Sequence, residues 1–183
     1  MFYKIYDFEI GKLAICEENE KIVRVQFLHN NNEVDIKLIK EKKNKNGVSK
    51  EIVQNDNIWL DKKSYMLKET DLINNTRKQL DEYFAGNRKQ FDIPIKLEGT
   101  DFQIKVWKEL LKIPYGETCS YLDIAKRIGN PKASRAVGMA NNKNKIIIIV
   151  PCHRVIGSNK KLVGYACGLE VKEKLLELER KNS

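Results

Sequence analysis

The sequence predicts a two-part fold, with a small α/β N-terminal half built on an antiparallel sheet plus one helix and a mostly α C-terminal half containing a helix-turn-helix. Three observations carry this. Apolar residues alternate along the first thirty positions, in segments set off by Gly11 and a polar turn. They recur at helical spacing after Asp71, and almost exclusively so after Thr100. Charge follows the same division: residues 101–183 carry 16 Lys and Arg against 8 Asp and Glu, whereas residues 1–100 carry 18 against 17. The net charge of +9 therefore sits almost wholly in the C-terminal half, which suits a polyanionic partner or a solvated lysine-rich surface.

The 183 residues are 42% hydrophobic and 32% charged, enough apolar content for a core and too much for a disordered tail. The longest aliphatic run, Ile146 to Val150, is far short of a membrane span. The N-terminus lacks the basic and apolar segments of a secretory signal. Cys16, Cys119, Cys152 and Cys167 are too few and too irregular for a disulfide scaffold, so a reduced, cytoplasmic protein is expected.

In chain order, residues 2–6, 13–16 and 22–27 predict a β-meander. Residues 37–57, rich in Lys and Asn, predict a long loop or edge segment. Leu72, Ile73, Thr76, Leu80, Tyr83 and Phe84 predict a helix stopped by Gly86. The boundary is placed between Pro94 and Thr100, giving domains 1–94 and 100–183. Phe102, Val106, Trp107, Leu110 and Leu111 predict one apolar helix face, closed by Pro114 and Gly116. Ser120 and Asp123 resemble a capping pair for a short helix that buries Leu122, Ala125 and Ile128 and ends at Gly129. Asn130 as N-cap and Pro131 in the first turn predict the next helix. Its Ala133, Ala136, Val137 and Ala140 face inward, with Ser134, Arg135, Gly138 and Met139 outward. Such a pair fits a helix-turn-helix, although structural helix pairs look similar.

The run Ile146 to Val150 predicts a strand buried on all sides, and Pro151 stops it at Cys152, His153 and Arg154. A thiol reacts as its thiolate, which needs a base or a positive field nearby. Side chains adjacent in sequence diverge, so His153 would reach Cys152 through a water. A buried structural cysteine fits these residues as well.

Further blocks favour reactivity. Pro151 to Gly157, Gly164-Tyr165-Ala166, Gly168 to Lys172 and Leu175 to Glu179 resemble the O6-alkylguanine-DNA alkyltransferase family, also called methylated-DNA–protein-cysteine methyltransferases. So do Phe102 to Trp107, Ile113 to Thr118, Ser120-Tyr121, Arg135 to Asn144 and, in the N-terminal half, Gln79 to Gly86. The resemblance covers about residues 65–183. It implies a ribonuclease-H-like N-terminal domain and a winged-helix-like C-terminal domain that repairs double-stranded DNA containing O6-alkylguanine, as a monomer with no cofactor. Cys152 would take the alkyl group irreversibly, in one turnover. His153 would be the base, held by Glu179. Tyr121 would protonate the departing guanine at N3, and Asn144 would brace the turn before Cys152. Arg135 would fill the space left by the flipped nucleotide, with Ser134, Ala133 and Gly138 on the same DNA-binding helix in the minor groove. Val155, Tyr165, Ala166 and Cys167 would line the base pocket.

This chain departs from the family pattern twice. Lys145 replaces a usual proline, leaving the turn without a fixed φ but offering a phosphate contact. Cys167 replaces glycine or a large aromatic, narrowing the pocket relative to glycine and adding a second thiol. Some family members bind zinc in the N-terminal part. Here Cys16 and His29 are the only candidates, two where a structural site wants four, so no metal is expected. Three other functions compete with this one. A lesion-binding relative would lack Cys152, a helix-turn-helix regulator leaves the Cys-His-Glu spacing unexplained, and a cysteine hydrolase would need an acyl pocket.

Overall fold

The computed structural model describes residues 1–27, the backbone of 57–60, and residues 63–183. The expected meander is β1 (Phe2–Phe8), β2 (Gly11–Glu18) and β3 (Lys21–Phe27), paired antiparallel in that order. Beyond it lie β4 (Asn57–Leu60) and β5 (Lys63–Leu67), an antiparallel pair whose β5 joins β1 in parallel, so the five-stranded sheet is mixed, in the order β3-β2-β1-β5-β4. His29 and nearly all of segment 37–57 lie outside the described residues. Cys16 is fully buried in β2, where burial pushes its thiol up to about 12.

Helix α1 (Asp71–Phe84) starts where the Thr70 hydroxyl accepts from the Ile73 N–H. It ends in a Schellman motif: the Gly86 N–H bonds to Tyr83 O and the Asn87 N–H to Glu82 O, with Gly86 at φ +77°. The face it buries includes Ile73, Leu80 and Tyr83. Helix α2 (Asp101–Leu110) has a full capping box between Thr100 and Gln103. Its Val106, Trp107 and Leu110 are buried, each such side chain stabilising the fold by roughly 1.5–3 kcal/mol. The Trp107 Nε1–H donates to Ala140 O at 2.9 Å and so fixes how α2 lies against the later helix that carries Ala140. Leu111 departs from the expected face and is exposed, because the helix has already ended.

The pair β6 (Cys119–Ser120) and β7 (Val155–Ile156) runs parallel beside α3 (Tyr121–Arg127) and α4 (Ser134–Asn142). The expected Ser120–Asp123 capping box opens α3, and Gly129 closes it in a second Schellman motif. Leu122 lies outward on α3, and Ile124 takes the inward place assigned to it. Helix α4 begins later than expected. The Ala133 N–H closes a turn on Asn130 O, so Ala133 is the N-cap, and Ala133 and Ala136 are half-buried rather than core.

The largest departure is Ile146 to Val150. These residues are all buried, as expected, but they form tight turns instead of a strand. Ile148 has φ +71° and the Ile149 N–H bonds to Ile147 O, a γ-turn. Pro151 centres a second, inverse γ-turn, with the Cys152 N–H on Val150 O. A γ-turn about a β-branched residue is strained and persists only where its surroundings over-determine it. The edge strand β3 does so here: the Val25 N–H bonds to Lys145 O and the Ile147 N–H to Val25 O. The turn that Lys145 leaves without proline's fixed φ is therefore clamped by the sheet. After a short 3-10 turn (Cys152–Arg154) and β7, α5 (Leu169–Lys181) buries Lys172, Leu175 and Glu179.

Candidate active site

The two γ-turns deliver Cys152, His153 and Arg154 into the interior, with residual exposures of 3%, 0% and 6%. Two basic side chains and a thiol on one buried segment require partners. Glu179, on the buried face of α5, supplies most of them. Its Oε1 accepts from His153 Nε2 at 2.7 Å, from Arg154 Nη2 at 3.0 Å and from the Tyr83 hydroxyl at 2.7 Å. Its Oε2 accepts from Arg154 Nε at 2.8 Å and from the Gly116 N–H at 3.2 Å. Burial acts against the Glu179 anion, but the His153 and Arg154 donors outweigh it and hold the carboxyl at about 2.

An ionised Glu179 settles the histidine tautomer. Nε2 must carry the proton it donates, leaving Nδ1 as the basic nitrogen, and Nδ1 is buried with no protein partner among the described residues. Burial keeps the imidazole below its usual range and Glu179 opposes this, so the resting ring is neutral.

Cys152 Sγ accepts from Asn144 Nδ2 at 3.1 Å. The same amide donates to Val150 O at 2.8 Å, while Asn144 Oδ1 accepts from the Ile146 N–H at 3.0 Å, so Asn144 bridges both ends of the buried turn. Burial pushes the thiol up, and Asn144, Lys172 and the Tyr165 hydroxyl pull it back. The Tyr165 hydroxyl bears on the sulfur's ionisation without reaching hydrogen-bond geometry. The resting sulfur is thus a thiol poised among polar groups, not a standing thiolate.

Tyr121, the first residue of α3, lays its ring over Gly138 of α4 and directs its hydroxyl to Val163 O at 2.9 Å. Lys172, fully buried, donates to Val155 O at 2.6 Å and to the same Val163 O at 3.1 Å, and burial brings it down to about 8. Val155 is buried, Tyr165 and Cys167 are half-buried, and Ala166 is exposed. Burial pushes the Cys167 thiol up to about 12. Arg135 is exposed and Ser134 and Gly138 half-exposed on the outer side of α4, where Met139 is 70% exposed. The site thus brings together Cys152, His153, Glu179 and Asn144, with Tyr121 and Tyr165 at its margin; Arg135 stands apart on the surface. Sequence reasoning missed Arg154, Tyr83 and Lys172 as members. The sequence reading takes Arg154 only as a positive field beside the thiol and gives Lys172 no role; the need to neutralise Glu179 is the signal that points to the first. Among the described residues no group of three or more His, Cys, Asp or Glu could hold a metal, and no helix is long and apolar enough to cross a membrane.

A buried thiol next in sequence to a buried base is equipped to accept a group, here on a domain whose helix pair turns cations outward. Two family models match the chain: the 6-O-methylguanine DNA methyltransferase ribonuclease-like domain over residues 1–97 and the DNA binding domain over residues 101–181. The chain is 42% identical to the methylated-DNA–protein-cysteine methyltransferase of Methanosarcina acetivorans, across 98% of each chain. It is 44% identical to the constitutive enzyme of that name from Bacillus subtilis, across 98% of this chain and 95% of the relative. Mycobacterium tuberculosis OGT, solved in complex with DNA, aligns over 100% of this chain and 95% of its own at 37% identity, with a TM-score of 0.79. The chain belongs to the methylated-DNA–protein-cysteine methyltransferase family.

Proposed function

We propose that this chain repairs double-stranded DNA by taking an alkyl group from O6 of guanine onto Cys152, once per molecule, as a cytoplasmic monomer without a cofactor. The observation that carries this reading is the Glu179–His153 pair, which leaves Nδ1 unpartnered, among the described residues, as a base on the residue next to the buried thiol. A water between Nδ1 and Sγ would satisfy the unpartnered nitrogen and pass the thiol proton to it. The sulfur then forms a bond to the alkyl carbon as the carbon–O6 bond breaks. The electron pair stays on the base, and Tyr121 donates a proton to N3 so that guanine departs neutral. For this the Tyr121 hydroxyl turns away from Val163 O. The thioether has no hydrolytic route, so the molecule is spent.

The target atom lies within the duplex, so the nucleotide must be extruded. Exposed Arg135 fills the gap, and α4 enters the minor groove with Ser134, Ala133 and Gly138 at the contact. A Cβ at Gly138 would make only ordinary contact, 3.6 Å, with the Tyr121 ring, so internal packing does not require glycine there and the close approach of DNA does. The division at residues 94–100 then separates a supporting domain from the DNA-binding one. Incubation with a duplex containing O6-methylguanine should add a single methyl mass to the intact chain; binding without added mass would leave a lesion-recognition protein instead.

Val155, Tyr165, Ala166 and Cys167 form the base pocket, and the side chain at 167 limits adduct size. Parent protein should repair O6-benzylguanine more slowly than O6-methylguanine, and Cys167→Gly should raise the benzyl-to-methyl rate ratio by about tenfold. An unchanged ratio in single-turnover kinetics removes Cys167 from the pocket wall.

A further inference from the structure

The carboxylate that holds His153 is itself held from the N-terminal half. Tyr83 stands on α1, 96 positions before Glu179, and its hydroxyl donates to Glu179 Oε1 at 2.7 Å inside the core. His153 Nε2 uses that same oxygen, also at 2.7 Å. Arg154 Nη2 is a third donor to it, at 3.0 Å. A carboxylate oxygen offers about two lone-pair directions, so a donor fixed near one of them restricts where the other two donors lie. Tyr83 is fixed: it is fully buried, with ring centroids of Phe84, Phe91 and Tyr115 at 5.4, 5.5 and 6.0 Å. Satisfying a buried phenol does not by itself explain the contact. The hydroxyl of the adjoining Tyr115 is buried in the same aromatic cluster and has no hydrogen-bond partner among the described residues.

We propose that Tyr83 is a positioning residue for alkyl transfer: α1 orients the Glu179 carboxylate and, through it, aims His153 Nδ1 at the Cys152 proton. This rests on the transfer reading above and makes the ribonuclease-like half a working part of the relay as well as a support. Helix α1 is itself locked onto the sheet, so the geometry of the base is set by the fold of both halves. The ionisable groups facing the His153–Glu179 pair are Arg154 on the active-site turn, Lys172 on α5, Tyr115 on a loop and Tyr83 on α1, while Cys152 and Tyr165 act on each other. Burial and Glu179 both drive the Tyr83 phenol well up, so it remains a donor wherever the histidine titrates.

The test is the single-turnover rate of methyl transfer from an O6-methylguanine duplex, followed across the histidine titration range. The proteins compared are the parent, Tyr83→Phe, Tyr115→Phe and parent carrying 3-fluorotyrosine at position 83. Phenylalanine keeps the aromatic packing and removes only the donor. Tyr83→Phe should reach the same end point of one methyl per chain, about three- to tenfold more slowly. Its acid-limb midpoint should rise, because a carboxylate relieved of one donor holds the imidazolium more strongly. Fluorotyrosine, a stronger donor of nearly the same shape, should lower that midpoint, and this arm decides the matter if Tyr83→Phe does not fold. Tyr115→Phe should match the parent. A parental rate and midpoint in Tyr83→Phe overturns the proposal, as does a slower rate with an unmoved midpoint, which would mark a merely structural tyrosine. A parent that transfers nothing refutes the transfer reading itself, so the two failures are distinct.

Discussion

Glu179→Ala is expected to lower unfolding stability by about 3–5 kcal/mol, because it removes one partner of a buried ion pair and strands the other. Arg154 would lose both of its side-chain acceptors and retain only the Ile113 carbonyl at 2.7 Å, while Tyr83, His153 and the Gly116 N–H would each lose theirs. Against a total of about 5–15 kcal/mol for an ordinary domain, a loss of this size leaves a protein that unfolds readily. Urea titration measures it, and a midpoint equal to the parent's would show that Glu179 does not balance Arg154. The pH dependence has the same origin. Glu179 sits at about 2 in the folded chain, below its unfolded value near 4.3, so its contribution is present above the unfolded value and is lost as pH falls toward about 2. His153 is held below its unfolded value, so the unfolded chain takes up that proton first as pH drops. Both terms weaken the fold toward acid, and Glu179→Ala should flatten the dependence between about pH 5 and 2.

Cys152→Ser should stop transfer while leaving recognition intact. A serine hydroxyl fits the thiol's place and can accept from Asn144 Nδ2, now 3.1 Å from the sulfur, so folding is preserved. It is a far weaker nucleophile, and His153 alone does not activate it against an alkyl carbon, so the rate should fall by at least about a thousandfold. Affinity for the lesion duplex should stay within about threefold of the parent's and decline as salt rises, since the phosphate contacts lie elsewhere. Rapid-quench kinetics alongside fluorescence anisotropy separates the two quantities. A serine variant that transfers within tenfold of the parent's rate would show that Cys152 is not the acceptor.

Much of the scaffold was legible because local chemistry and tertiary packing agree there. Thr100 and Gln103, Ser120 and Asp123, Gly86 and Gly129 mark their helix ends by side-chain caps or left-handed turns that need no knowledge of the rest of the chain. Ile146 to Val150 misled because a β-branched run has the composition of a buried strand, whereas its conformation is dictated by the distant Val25 and by Asn144. Leu111 misled because its helix ends at the buried Leu110 just before it, and Leu122 because the inward place falls two residues later, at Ile124. In the site, Cys152, His153, Glu179 and Asn144 were legible from spaced blocks that resemble a family. Tyr83, Arg154 and Lys172 were not, since their roles arise from contacts spanning up to 96 positions and each side chain has an ordinary structural or surface use.

On this account one sulfur among four is selected for transfer by its surroundings. Cys16 is sealed in β2, burial pushes Cys167 up to about 12, and Cys119 accepts from Arg127 Nη2 at 3.2 Å; Cys152, which burial also raises, takes the Asn144 Nδ2 donor at 3.1 Å and adjoins the His153–Glu179 pair. Peptide-level mass spectrometry after reaction with an O6-methylguanine duplex tests this most directly. The methyl group should be found on Cys152 alone, at one per chain, and methyl on Cys167, Cys119 or Cys16 at comparable occupancy would contradict it.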